Sequence, residues 1–232
     1  QENVTLLLSC IALDSVAHAE SILCAGAAQP LVALLSSHIS ANTSRHAAKT
    51  LALLAKTSKA GQGKVVQAGA ISPLALCLKK PSAGDETIEV SDGGGIGSSE
   101  SIALLSVKAL DSLCHGSPAA TAQLMASSEV IPSLLAMIAA EGIPMPPRLA
   151  AAKLLATLAE TSSRVGETVD VEGGMAVLVE LLSDVSADEL LQEVSRLLLL
   201  LSKSSSQSQA AVANAGAIPP LVGLMTQGTS AT

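Results

Sequence analysis

The stretch GAIPPLVGLM, residues 216–225, decides the fold, because four variants of it come earlier in the chain. They read GAAQPLVALL (26–35), GAISPLALCL (69–78), EVIPSLLAMI (129–138) and GGMAVLVELL (173–182). Aligned on their third residues, Ala28, Ile71, Ile131, Met175 and Ile218, they stand 43, 60, 44 and 43 residues apart. A second landmark, the aliphatic residue closing the longest apolar segment, falls at Ile11, Leu54, Leu113, Leu158 and Leu201. Its intervals are 43, 59, 45 and 43. Two independent registers share one period, and one interval is enlarged by about 17 residues. A repeat of this size marks a stack of helical units.

Each period reads as three helices. The first is short and carries an apolar residue four before the turn: Ile22, Val65, Met125, Val169 and Val212. Gly26, Gly69, Gly173 and Gly216 follow, and glycine enters the left-handed conformation that ends a helix at little cost. Glu129 takes that place in one copy, so that turn is expected to differ. The second helix opens near Pro30, Pro73, Pro132 or Pro219–Pro220, where a missing N–H loses no partner. The third is longest, roughly 44–57, 100–115, 147–160 and 187–202, with leucines and alanines three and four apart on one face. One unit cannot bury that face alone, and stacked units bury it against each other.

The pattern Gly-Ala-Ile-Pro-Pro-Leu-Val ahead of a long Ala/Leu-rich helix resembles the armadillo repeat. HEAT repeats are the near neighbour, but the glycine turn between two short helices favours the armadillo type. The resemblance implies an all-α, right-handed superhelical solenoid with three helices per repeat. On this reading, 2–16 is a partial repeat holding only a third helix. Repeats follow at 17–59, 60–116 (with a loop insertion at 80–99), 117–161 and 162–204, and 205–232 holds a first and second helix. Neither end carries the polar cap that a solenoid requires, so the expectation is a piece of a longer chain or a member of a larger complex.

The resemblance also places the binding surface. In armadillo proteins the third helices line a groove, where a Trp and an Asn four residues apart hold an extended peptide. The Asn slot here holds Cys10, Leu53, Ser112, Thr157 and Leu200; the Trp slot holds Leu6, Lys49, Lys108, Lys153 and Arg196. The nuclear-signal chemistry of importin-alpha is therefore not expected. Lys49, Lys108, Lys153 and Arg196 instead form a row of cations in a chain of net charge −7, similar to the basic groove of beta-catenin. The expected groove residues are those four with Leu53, Ser112, Thr157 and Leu200, and the expected partners are proteins, through acidic extended or helical segments.

Composition narrows the alternatives. Hydrophobic residues make up 49% of the chain and charged ones 14%, too apolar for disorder. The longest run of large apolar residues, Leu197 to Leu201, is far short of a membrane span. Acidity argues against nucleic acid, and the absence of Phe, Tyr and Trp removes any stacking platform. Cys10, Cys24, Cys77 and Cys114 form no C-x-x-C pair and read as small buried side chains in a reducing compartment, so no metal or cofactor is expected. The sequons at Asn3 and Asn42 fall in or beside helices and read as chance matches. GGGIG in the insertion lacks a dinucleotide fingerprint, Gly63-Lys64 lacks the rest of a phosphate loop, and no catalytic constellation stands out. The insertion reads as a surface loop whose acids, Asp85, Glu86, Glu89 and Asp92, could compete weakly for the basic row.

The expected function is thus a protein-interaction scaffold and not an enzyme, intracellular and cytoplasmic, with cytoskeletal or nuclear association open. Two alternatives stay open: a structural part of a cytoskeletal or axonemal assembly, and the substrate-recognition arm of a ubiquitin ligase catalysed elsewhere. Circular dichroism of the chain should show helix without sheet, and absorbance at 280 nm should be close to nil. An appreciable sheet signal would end the solenoid reading.

Overall fold

In the computed structural model, residues 2–36, 40–78, 100–140, 142–182 and 188–229 are described, the last without the side chains of 226–229. The insertion 80–99 and its expected competition for the basic row lie outside them. The described residues form helices only, in the order α1 (Glu2–Asp14), α2 (Val16–Cys24), α3 (Ala28–Ser36), α4 (Ala41–Thr57), α5 (Lys59–Gln67), α6 (Ile71–Leu78), α7 (Ile102–Cys114) and α8 (Pro118–Met125). There follow α9 (Val130–Ala139), α10 (Met145–Thr161), α11 (Arg164–Val171), α12 (Gly174–Leu181), α13 (Asp188–Ser204), α14 (Ser206–Asn214) and α15 (Ile218–Thr229). Short, short and long helices alternate as expected. Of the long ones, α4 and α10 start three and two residues earlier than the apolar pattern indicates, and α7 and α13 two and one later. In α10 the early start is carried by Pro146 and Pro147 in its first turn, where no N–H is needed.

The turns explain why the period is so regular. Gly26, Gly69, Gly173 and Gly216 have φ of 79°, 79°, 71° and 83°. Beyond three of them, the N–H of Ala27, Ala70 or Ala217 donates back to the carbonyl of Ile22, Val65 or Val212, at 3.3–3.4 Å. That is the long bond of a Schellman turn. In these three turns the apolar residue four before the glycine therefore both enters the core and accepts the bond that closes its helix. Glu129 stands instead at φ −93°, ψ −6°, and its turn takes another path through Ser127. A further periodic signal also lies in the sequence. Ser15, Ser58, Ser117 and Ser205 each cap a first helix, accepting from the N–H of Ala17, Gly61, Ala120 and Ser208.

The chain divides into two compact units, Gln1–His115 and Gly116–Thr232. In the first, α4 packs between α1 and α7, with α3 and α6 on their own third helices. Ala47, Ala48, Leu51 and Leu54 of α4 are fully buried, as are Leu110 and Leu113 of α7. In the second, α10 packs against α13 and α9, and α14 against α13, around Leu134, Ile138, Leu154, Leu158, Leu197 and Leu201. Each fully buried leucine contributes about 1.5–3 kcal/mol. The landmark residues that lack an outer neighbour behave differently: Ile11 in α1 is 37% exposed and Ile218 in α15 is 61% exposed. The cysteines depart from the expectation at one position. Cys114 is buried and Cys10 and Cys77 half-buried, but Cys24 is exposed, because it ends α2 on the side facing solvent.

Two glycines of α5 separate packing from propensity. A Cβ on Gly61 would lie 2.8 Å from the Leu54 carbonyl oxygen and 3.1 Å from Leu23 Cδ1, whereas one on Gly63 would meet nothing within 4 Å. Gly61→Ala should therefore destabilise by about 1–3 kcal/mol, and Gly63→Ala should stabilise by about 0.5–1 kcal/mol. Urea unfolding followed by far-ultraviolet dichroism checks both signs.

Candidate functional site

The third helices carry the candidate surface in each unit. In the first unit, Lys49 lies half-buried on α4 and has no ion-pair partner among the described residues. Its counterpart on α7, Lys108, is held by Glu100 at 2.5 Å, just ahead of the helix. Leu53 and Cys10 are half-buried beside them. Ser112 donates its hydroxyl proton to the Lys108 carbonyl at 2.9 Å. A polar chain joins α1 to α4: Asn42 Nδ2 donates to Glu2 Oε1 at 3.1 Å, and Arg45 Nη1 donates to Asn42 Oδ1 at 2.8 Å. His46 sits next to them. Burial lowers its pKa below 6.5; Glu2 opposes this, while Lys49 and Arg45 add to it, and the net shift is downward.

In the second unit, Lys153 is exposed on α10, again without an ion-pair partner among the described residues. Arg196 on α13 is held twice, by Glu160 of α10 at 2.5 Å and by Glu193 at 3.4 Å. Thr157 is buried and donates to the Lys153 carbonyl at 3.1 Å, and Leu200 is half-buried. Below the surface, Arg148 is buried and its Nε donates to the Ile138 carbonyl at 2.9 Å. A cation thus meets the carbonyl end of α9, where the helix dipole favours it.

The four cations therefore lie on third helices, as the spacing indicates, but they are not equivalent. Lys108 and Arg196 are neutralised locally, and among the described residues Lys49 and Lys153 are not. The acids that make this difference were not among the expected site residues. Glu193 could have been found, since it lies three before Arg196 on one helix. Glu160 reaches Arg196 from the preceding third helix, 36 residues away, and Glu100 lies before its helix begins, so no helical spacing reveals either.

Elsewhere the described residues hold no group of three or more His, Cys, Asp and Glu placed to bind a metal. Cys114 and His115 point apart, one buried and one exposed. A cleft of about 420 Å³ between α11, α12 and α14 is lined by four alanines with Asp170, Gln207 and Asn214 among others, and by no residue of a third helix. No single described helix is long and apolar enough to cross a membrane.

Comparison with solved structures agrees with this geometry. An engineered protein from a structural genomics consortium superposes with a TM-score of 0.79 at 22% identity, covering 97% of this chain and 83% of its own. A designed armadillo repeat protein in complex with the peptide (KR)4 gives 0.78 at 22%, over 96% and 84%. A computationally designed armadillo repeat protein for modular peptide recognition gives 0.79 at 21%, over 97% and 85%. No protein-family model matches the chain, and neither does any curated protein. The fold is the all-α armadillo-repeat solenoid, with three helices per repeat.

The His46 environment predicts a pH effect. With its folded-state pKa below the ordinary value, the folded protein binds the proton less well than the unfolded chain. Stability from this site is complete above about pH 6.5 and is lost as pH falls below it. His46→Gln should flatten the decline of the urea midpoint between about pH 7 and pH 5. An unchanged slope would assign the decline to other groups.

Proposed function

We propose that this chain is a protein-interaction scaffold whose third-helix surface binds acidic segments of partner proteins. The observation that carries this reading is the pair of cations, Lys49 and Lys153, that stand beside half-buried Leu53 and buried Thr157 without a described carboxylate to neutralise them. A chain of net charge −7 that keeps cations at equivalent places on its long helices has a surface suited to anionic ligands. Two of the similar solved structures are, by their descriptions, a peptide complex and a design for peptide recognition, which supports a peptide-binding use of the fold. The peptide (KR)4 in one of them is basic. The charge of the slots in this chain favours the opposite sign.

Exposed ion pairs contribute only about 0.2–1 kcal/mol each. Charge therefore selects and orients a partner, and apolar contact supplies the remaining affinity. Selection of a displayed random peptide library on the chain should enrich sequences rich in Asp and Glu with interspersed leucines. Binding of the enriched peptides should weaken roughly two- to thirtyfold in the Lys49→Glu, Lys153→Glu double variant, and should weaken with added salt. Enrichment of basic peptides, or binding indifferent to the double substitution, would move the site to another surface.

A further inference from the structure

Among the described residues, the third-helix surface of the first unit offers few groups that would hold an extended peptide by its backbone. An extended segment presents an N–H and a carbonyl at every residue, and those turned toward a groove need partners there. The slots that face the partner on α1, α4 and α7 hold Cys10, Leu53 and Ser112. Leucine offers no hydrogen bond and cysteine only a weak one. Ser112 has already given its proton to the Lys108 carbonyl. The amides bordering these helices are engaged as well. Asn42 bonds both Glu2 and Arg45, and Gln62 Nε2 donates to the Ser112 carbonyl at 2.5 Å and the His115 carbonyl at 3.3 Å. Asn3 on α1 remains, and one amide can serve a single peptide unit.

A helical segment brings its own backbone bonds and needs none from the groove. It can still use what this surface does offer: the half-buried Leu53 and Cys10, the exposed Leu6, and the Lys49 ammonium. We infer that the segment docking on the third helices of the first unit is an amphipathic helix with an acidic edge and a leucine face, rather than an extended strand. This inference rests on the proposed binding function and specifies the partner of that site.

The dimensions agree. Packed third helices lie about 8–10 Å apart, so Lys49 and Lys108 occupy equivalent slots at about that spacing. A helix crossing them rises 1.5 Å per residue, and carboxylates seven residues apart stand about 10 Å from each other on one side of it. One faces Lys49. The other competes with Glu100 for Lys108, which makes Lys49 the stronger contact. Leucines at the intervening three- and four-residue positions face Leu53.

The test uses the whole chain and two fluorescent synthetic peptides of equal length and equal Glu and Leu content, about 14 residues long, enough to cross three packed helices. One is a side-chain-stapled helix with Glu at positions seven apart and Leu at the three- and four-residue positions between. The other alternates Glu and Leu and carries prolines that keep it extended. In fluorescence anisotropy at low salt, the stapled helix should bind at least about tenfold more tightly than the extended peptide. Lys49→Glu should weaken the stapled helix up to about fivefold, with an unchanged dichroism spectrum and urea midpoint. Equal or tighter binding of the extended peptide overturns the helical inference and leaves the scaffold reading in place. Failure of both peptides to bind overturns both. Stapled-helix binding that ignores Lys49→Glu places the helix on another surface and also overturns the inference.

Discussion

The contact between successive third helices is the constraint on which each unit depends. A helix such as α4 is apolar along two flanks, and it is stable only because α1 covers one and α7 the other. The residues that make the contact are small or aliphatic: Ala47, Ala48, Leu51, Leu54 and Ala55 on α4, and Leu110 and Leu113 on α7. Because the chain has no aromatic residue, no bulky ring wedges the helices apart. The short first helices α2, α5 and α14 are fixed by local devices, a serine at the start and a left-handed glycine at the end, and the short helices then brace the long ones. Buried glycines show how closely they brace. Gly61 has no room for a Cβ beside Leu54, and Gly166 none beside Ser204 and Ser208.

This packing leaves one stripe of each third helix outward, and the stripe carries the chemistry. With the flanks committed to neighbouring helices, residues four apart, such as Lys49 and Leu53 or Arg196 and Leu200, project on the remaining side. Repetition makes these positions equivalent in geometry without making them equivalent in charge. Glu100 and Glu160 neutralise two of the four cations, and Lys49 and Lys153 have no carboxylate partner among the described residues. The polar atoms of the stripe are used internally in the same way. The Ser112 and Thr157 hydroxyls turn back to the preceding carbonyls of their own helices, a common resting place for Ser and Thr in a helix.

Much of the fold could be read directly from the amino-acid order. The period, the three helices, the glycine turns at Gly26, Gly69, Gly173 and Gly216 and the exceptional turn at Glu129 all follow from residues within about five positions of one another, because helix starts and stops are local hydrogen-bonding events. The serines were equally legible, recurring in register ahead of every first helix, although the one ahead of α11 makes no cap bond. The slot positions of the candidate site were also readable, since 3.6 residues per turn and a known apolar face leave little choice about which side remains outward.

What only the tertiary structure decided is the state of those slot residues. Glu160 and Arg196 are 36 residues apart and meet because α10 and α13 are packed side by side. Asn42 meets Glu2 across 40 residues for the same reason in the other unit. Exposure is likewise a property of neighbours: Cys24 lies outside and Cys114 inside, though both stand at the end of a helix in similar apolar company. A sequence specifies local conformation through contacts a few residues away. Charge pairing, burial and the availability of a hydroxyl proton depend on which helix lies alongside and at what offset, and that offset is set by the packing of all the side chains between them.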